Sequence, residues 1–309
     1  MGTIAIDESR LFGKSYLAAS AQSICWSIRL AIVIGALLPF ALIAPAQTTV
    51  KTTRALSPAR SARVTTSATA PSLRNSGEPE PALAPPDAAL VRELLNASRT
   101  QFPVGKRINI ISAHLLGKPY LINPLIGSLD QPEVLVTRMD GFDCVTFIET
   151  VLALAYARNE TEFVRRLREL RYRDGLVQYQ NRLHYTTDWS QYHVRRGFLQ
   201  DLTVGDNTLV REKTLFLLKQ LPAKVAHFRF YPKYKLASVT GLLHEGDLIY
   251  FVSGRKGLDI SHVGLIIRDG DRLLLRHATR HRRQVVEQEL EDFCRRTPMS
   301  GFIINRPKE

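Results

Sequence analysis

The sequence predicts an α+β domain in which helices come first and an antiparallel sheet follows. Apolar residues recur at helical spacing through most of residues 87–173, whereas short alternating or wholly apolar runs occupy residues 246–305. Between two of those runs, Asp269-Gly270-Asp271 is a tight-hairpin signal.

After Pro85-Pro86, Asp87 is placed to cap a helix to about Ser98, with Leu90, Val91, Leu94 and Leu95 on one face. INIISAHLLGKPY is a second amphipathic stretch, stopped at Gly117-Lys118-Pro119. EVLVTRM (133–139) alternates as a strand does. GFDCVTFIETVLALAYA (141–157) passes from loop into buried helix, with Phe147, Ile148, Val151, Leu152 and Ala155 at helical spacing. Cys144 then lies in or beside its first turn. TEFVRRLRELRYR gives another helix. QYQNRLHYTTDWSQY (178–192), dense in aromatic and polar groups, reads as a hairpin or cleft-lining loop, and LVREKTLFLLKQL as a helix. GDLIYFVS (246–253), SHVGLIIRDG (261–270) and RLLLRHAT (272–279) read as strands. LEDFCRRTP follows as a short helix and GFIIN (301–305) as a last strand.

The first 86 residues read differently. LAIVIGALLPFALIAPA (30–46) follows Arg29 and ends in the small residues Ala44 and Ala46. A basic flank, an apolar core and an A-x-A ending describe a secretion signal over residues 1–46, cleaved after Ala46. The alternative is an uncleaved anchor that tethers the chain to a membrane through residues 30–46. Residues 47–86 are rich in Thr, Ser, Ala and Pro and poor in large apolar groups, which predicts a disordered linker before a domain at 87–309. The expected location is the periplasm or cell envelope.

The formal charge is +13, of which the first 86 residues supply +4 through eight Lys/Arg against four Asp/Glu. The remaining +9 suits an anionic envelope polymer or a solvated basic face. No nucleic-acid motif is present, and nucleic acid is not an expected partner. Three cysteines occur, Cys25, Cys144 and Cys294. A Cys144–Cys294 disulfide is one reading in an oxidising compartment.

Another reading is chemical. Cys144 opens a buried helix, His262 begins one strand, and His277 ends the next. A hairpin centred near Gly270 sets His262 and His277 nearly opposite one another, eight residues before and seven after it. A helix N-terminus favours a thiolate, and a neighbouring imidazole can take its proton and return it to a leaving amine. A further polar group can orient that imidazole. The Cys144 N–H is the natural first oxyanion donor.

Asp143-Cys144 opening a helix, Gly246-Asp247-Leu248-Ile249 before a strand, His262-Val263-Gly264 and His277-Ala278 resemble the NlpC superfamily of papain-like cysteine peptidases. FDCVTFIE and NRLHYTTDW more closely resemble its N-acetylmuramoyl-L-alanine amidase-like branch. The resemblance covers most of residues 87–309. It implies a papain-like fold and hydrolysis of peptidoglycan or muropeptide fragments without a cofactor or metal. Cys144 would be the nucleophile, His262 the base, and His277 the orienting residue. Asp143 would contact the stem peptide. Tyr185 and Trp189 are stacking candidates, and Arg182, His184 and Asp188 are polar binders, against a reading of all five as hairpin packing. The chain is expected to act as a monomer.

Alternatives remain. Zinc held by His262, His277 and Asp259 or Cys294 is one, although no close-spaced ligand pair supports it. A D-glutamyl-diamino-acid endopeptidase and a non-catalytic wall-binding module are the others. Glu149 faces away from the apolar stripe or pins a loop, and Cys294 reads as a small packed residue.

Overall fold

The computed structural model describes residues 82–218 and 220–309. The expected signal over 1–46, and the linker up to residue 81, lie outside these residues. The linker's last two residues, Pro85 and Pro86, are helical, because α1 (Pro85–Ser98) starts on the first of them. A proline in the first turn loses no helical hydrogen bond. Asp87 therefore does not cap α1. Its carboxylate accepts the Met139 N–H at 3.1 Å and ties the helix to the loop before Cys144.

α2 (Val104–His114), α3 (Cys144–Tyr156) and α4 (Glu160–Arg171) follow. Residues 146–155 of α3 are all buried. A helix buried on every side belongs at the centre of a domain, and α1, α2, α4 and the sheet enclose this one. Each fully buried Val, Leu, Ile or Phe here contributes about 1.5–3 kcal/mol of transfer free energy.

The remaining elements are α5 (Thr186–Arg195), β1 (Leu199–Asp201), β2 (Leu209–Leu215), β3 (Lys224–Pro232), α6 (Leu236–Val239), β4 (Leu248–Val252), β5 (Ile260–Asp269), β6 (Arg272–Thr279), β7 (Gln284–Glu289), α7 (Leu290–Arg296) and β8 (Gly301–Pro307). The strands form an antiparallel sheet ordered β2-β3-β8-β4-β5-β6-β7, with β1 also on β8. Leu248, Tyr250, Val252, Val263, Leu265 and Ile267 face the helical core. Ile249, Phe251, Ile266 and Leu275 face a smaller core that includes Leu290 and Cys294 of α7. This is the period-two alternation of a sheet covered on both sides.

Three elements differ from the sequence reading. The segment 178–192 is not a hairpin, because its second half is α5. The Asp259 carboxylate accepts the Thr187 N–H at 2.8 Å and its hydroxyl at 2.7 Å, a start signal from 72 residues away. LVREKTLFLLKQL is not a helix, since β2 pairs along its whole length with β3. Cross-strand pairing overrides a weak local propensity there. Residues 133–139 make no ladder and form only an isolated bridge between Ile126 and Val134. Buried arginines hold that loop instead.

Candidate active site

Asp143 is the N-cap of α3. One carboxylate oxygen accepts the N–H groups of Val145 (3.1 Å) and Thr146 (2.7 Å), and Thr146 Oγ1 accepts the Asp143 N–H at 2.9 Å. This reciprocal cap fixes where the helix begins, and with it the position of Cys144. Asp143 is buried, and its carboxylate serves the cap while the residue borders the cleft described below. Burial pushes its carboxyl up, against these donors. Gly141 permits the approach to Cys144, because a Cβ there would stand 2.8 Å from the Pro119 carbonyl oxygen. Residues 119–121 can therefore run beside Phe142, with Phe142 N–H on Pro119 O at 3.0 Å and Leu121 N–H on Phe142 O at 2.9 Å.

His262 and His277 meet at 2.5 Å, Nε2 to Nδ1. Their register differs from the expected one. The strands pair from Leu265 with Arg276 to Asp269 with Arg272, leaving only Gly270-Asp271 as the turn. Continued along the strands, this register sets His277 opposite Gly264 rather than His262. The two histidines still share a face, as diagonal neighbours on adjacent strands do. Gly264 makes the contact possible, because a Cβ there would stand 3.0 Å from His277 Cβ and 2.6 Å from Leu275. Without a side chain at 264, the His277 ring leans across to His262. Phe293 of α7 packs on both rings, with centroids 5.6 Å and 5.3 Å away. Burial, with His262 alongside, holds the His277 imidazole well below its ordinary range, so it is neutral.

Cys144 and His262 line one cleft of about 50 Å³, with Tyr120, Asp143, His184, Tyr185, Asp259 and Ser261 among its other walls. His184 and Tyr185 thus border the cleft. His184 Nε2 sits 2.7 Å from Tyr179 O, and burial lowers its pKa to about 4, so it is a neutral wall. Tyr185 is buried and its hydroxyl accepts the Leu218 N–H at 3.4 Å.

Three candidates fall away from the cleft. Trp189 is fully buried against His193, with ring centroids 4.5 Å apart, so it packs the core and stacks on no substrate. Arg182 is buried and grips Glu133 with Nε at 2.8 Å and Nη2 at 2.5 Å, so it holds the 121–142 loop rather than a ligand. Asp188 is paired with Lys224. Aromatic and polar composition is the same for a cleft and for a core containing ion pairs, which is why the sequence suggested binding.

Both described cysteines are free thiols, which corrects the disulfide alternative. Cys144 is partly exposed, whereas Cys294 is buried in the smaller core. Asp259, a ligand in the zinc alternative, is committed to Thr187. Among the described residues, no group of three His, Cys, Asp or Glu side chains is placed to hold a metal ion. The sequence reading missed Tyr120, Phe293 and the capping role of Asp259. Asp259 stands three residues before His262, a proximity that offered a signal, whereas Phe293 offered none.

Comparison with known proteins shows the family. The family model described as N-acetylmuramoyl-L-alanine amidase-like (AmiA-like) matches residues 110–302. The chain is similar to a crystal structure of an N-acetylmuramoyl-L-alanine amidase from Bacteroides uniformis, with 30% identity and a TM-score of 0.59, covering 67% of this chain and 99% of that one. A protein from Legionella pneumophila shares the fold, with 24% identity and a TM-score of 0.63, covering 72% of this chain and 94% of that one. A Bacteroides fragilis protein provisionally named a xylanase is 28% identical with a TM-score of 0.54, covering 63% of this chain and 98% of that one. No curated protein matches. The family match spans more than half of the chain, which therefore belongs to the N-acetylmuramoyl-L-alanine amidase-like family.

Proposed function

We propose that the chain is an exported cysteine hydrolase of peptidoglycan, of papain-like NlpC type, which cuts the amide between the lactyl group of N-acetylmuramic acid and L-alanine. One observation carries this reading: Cys144, at the capped start of α3, and His262 line the same cleft, with buried His277 bonded behind His262. Family membership supports the choice of bond. Residues 1–46 are proposed to direct export, the segment from 47 up to the start of α1 to act as a flexible arm, and the chain from Pro85 onward to form the catalytic domain.

In the proposed reaction His262 takes the Cys144 proton, and Sγ attacks the lactyl carbonyl carbon. The Cys144 N–H donates to the developing oxyanion. The imidazolium protonates the alanine nitrogen as the C–N bond breaks, leaving a thioester. Water, deprotonated by His262, then releases the muramic acid carboxylate and the thiol. His277 accepts from His262 Nε2–H through Nδ1, which keeps the other His262 nitrogen for proton transfer. Because His277 is neutral, it orients the base without adding a charge. Its own proton then sits on Nε2, beside Phe293. His184 and Tyr185 are proposed to contact the substrate as cleft walls. A glycosidase reading is disfavoured, because both carboxylates lining the cleft, Asp143 and Asp259, are bound to backbone N–H groups rather than flanking a sugar bond.

Digesting purified muropeptides with the full chain, and weighing the products by mass spectrometry, tests the choice of bond. Free muramoyl sugar with an intact stem peptide is the expected result. A dipeptide fragment would assign the enzyme to D-glutamyl-diamino-acid cleavage instead. Binding without any product would indicate a wall-binding module.

A further inference from the structure

We propose that the turn Arg280-His281-Arg282-Arg283 is an anion-binding rim of the cleft, where Arg282 and Arg283 hold a free carboxylate of the substrate peptide on the leaving-amine side. This rests on the amidase reading above and adds a determinant of specificity to it.

The topology puts the turn at the reactive end of the sheet. β5 begins beside His262, and β6 ends two residues after His277. The chain then turns through residues 280–283 into β7. His281, Arg282 and Arg283 are exposed. Arg283 adopts φ 56°, the left-handed region that glycine or asparagine fills at less cost. The turn thus carries arginine where its backbone favours another residue type.

Two hydrogen-bonded neighbours fix the distance from the turn to Cys144. The Tyr120 N–H donates to Arg283 O at 2.9 Å, and the Val285 N–H to Lys118 O at 2.8 Å. On the opposite edge, the same segment pairs with Phe142, two residues before Cys144. One extended segment therefore separates the turn from the backbone carrying Cys144. At a strand spacing of about 4.8 Å, the two outer backbones lie about 10 Å apart. An extended peptide rises about 3.3 Å per residue, so a carboxylate roughly three residues beyond the scissile amide reaches the turn.

The local charge favours an anion. Lys118 lies on the intervening segment, and the acids on either side are already paired. Asp140 is held by Arg138 at 2.6 Å, and Glu287 by Arg276. Among the described residues neither Arg282 nor Arg283 forms an ion pair. Guanidinium groups recognise carboxylates through a planar, bidentate fork. A compact turn beside the cleft fits a charge at one register along a bound peptide, whereas a phosphodiester polymer calls for a basic stripe.

The test uses the full chain carrying Cys144→Ala and a fluorescent N-acetylmuramoyl-tetrapeptide, with its carboxylates either free or amidated. The free acid is expected to bind about tenfold more tightly. R282Q/R283Q should reduce its affinity to that of the amide and leave amide binding unchanged, while R282K/R283K retains part of the preference. Raising salt from about 0.05 M to about 0.5 M should erase the difference. Equal losses for both ligands in R282Q/R283Q, or no preference for the free acid, would overturn the site while leaving the amidase reading standing. Equal competition by a phosphate polymer against both ligands would assign the turn to that polymer and overturn it too. No binding of either ligand would sink the amidase reading and the site with it.

Discussion

Cys144→Ala should lower the turnover of muropeptides by about 10⁴-fold or more, because it removes the nucleophile of the proposed mechanism. Cys144 is partly exposed and its side chain is small, so stability should change by less than about 1 kcal/mol. His262→Ala should have a similar effect on kcat. The double variant should be little worse than either single one, since residues acting as one unit are not additive. Chromatographic product counts and a thermal unfolding midpoint distinguish this from a packing defect. A packing defect would lower the midpoint and the activity together.

Arg171→Leu should destabilise the domain by about 3–5 kcal/mol, because it leaves the Glu149 carboxylate buried without its partner. Both side chains are almost completely inaccessible, and Arg171 Nε donates to Glu149 Oε2 at 2.7 Å. Arg171 Nη1 also donates to Val136 O at 2.6 Å, so the same guanidinium fastens the 121–142 loop onto α3, the Cys144 helix. Urea titration should show a lower midpoint with an unchanged slope. Adding Glu149→Gln should recover a large part of the loss, since it removes the charge and keeps the shape. An unaffected midpoint in Arg171→Leu would contradict this account of the pair.

The parts that the sequence conveyed best are those governed by local pattern. The apolar run after Cys144 is long enough to require burial, and the alternation around Asp269-Gly270-Asp271 requires a hairpin. Proximity of the two histidines follows from that hairpin. Their stagger does not, because a two-residue and a three-residue turn look alike in sequence and shift the register. The errors share another cause. α5 begins where Asp259 caps it, and Arg182 is engaged by Glu133 from 49 residues away, so each depends on a partner invisible to any local window. β2 differs from the sequence reading for the same reason, since its exposed Leu209, Val210 and Glu212 become a strand only against β3. The candidate site was therefore legible at Cys144, His262, His277, His184 and Tyr185 as a set lining or adjoining one cleft. Trp189, Arg182 and Asp188 have the composition of a binding surface and the placement of a scaffold.

The central claim is that Cys144 is the reacting group, and the two described cysteines offer an internal comparison. Burial pushes the Cys294 thiol up to about 12, so its thiolate is scarce near neutral pH. The full chain would be treated with iodoacetamide near pH 7, with labelled peptides mapped by mass spectrometry and remaining amidase activity followed in parallel. The account predicts rapid carbamidomethylation of Cys144, loss of activity at the same rate, and an unmodified Cys294. Activity that survives complete alkylation of Cys144 would contradict it.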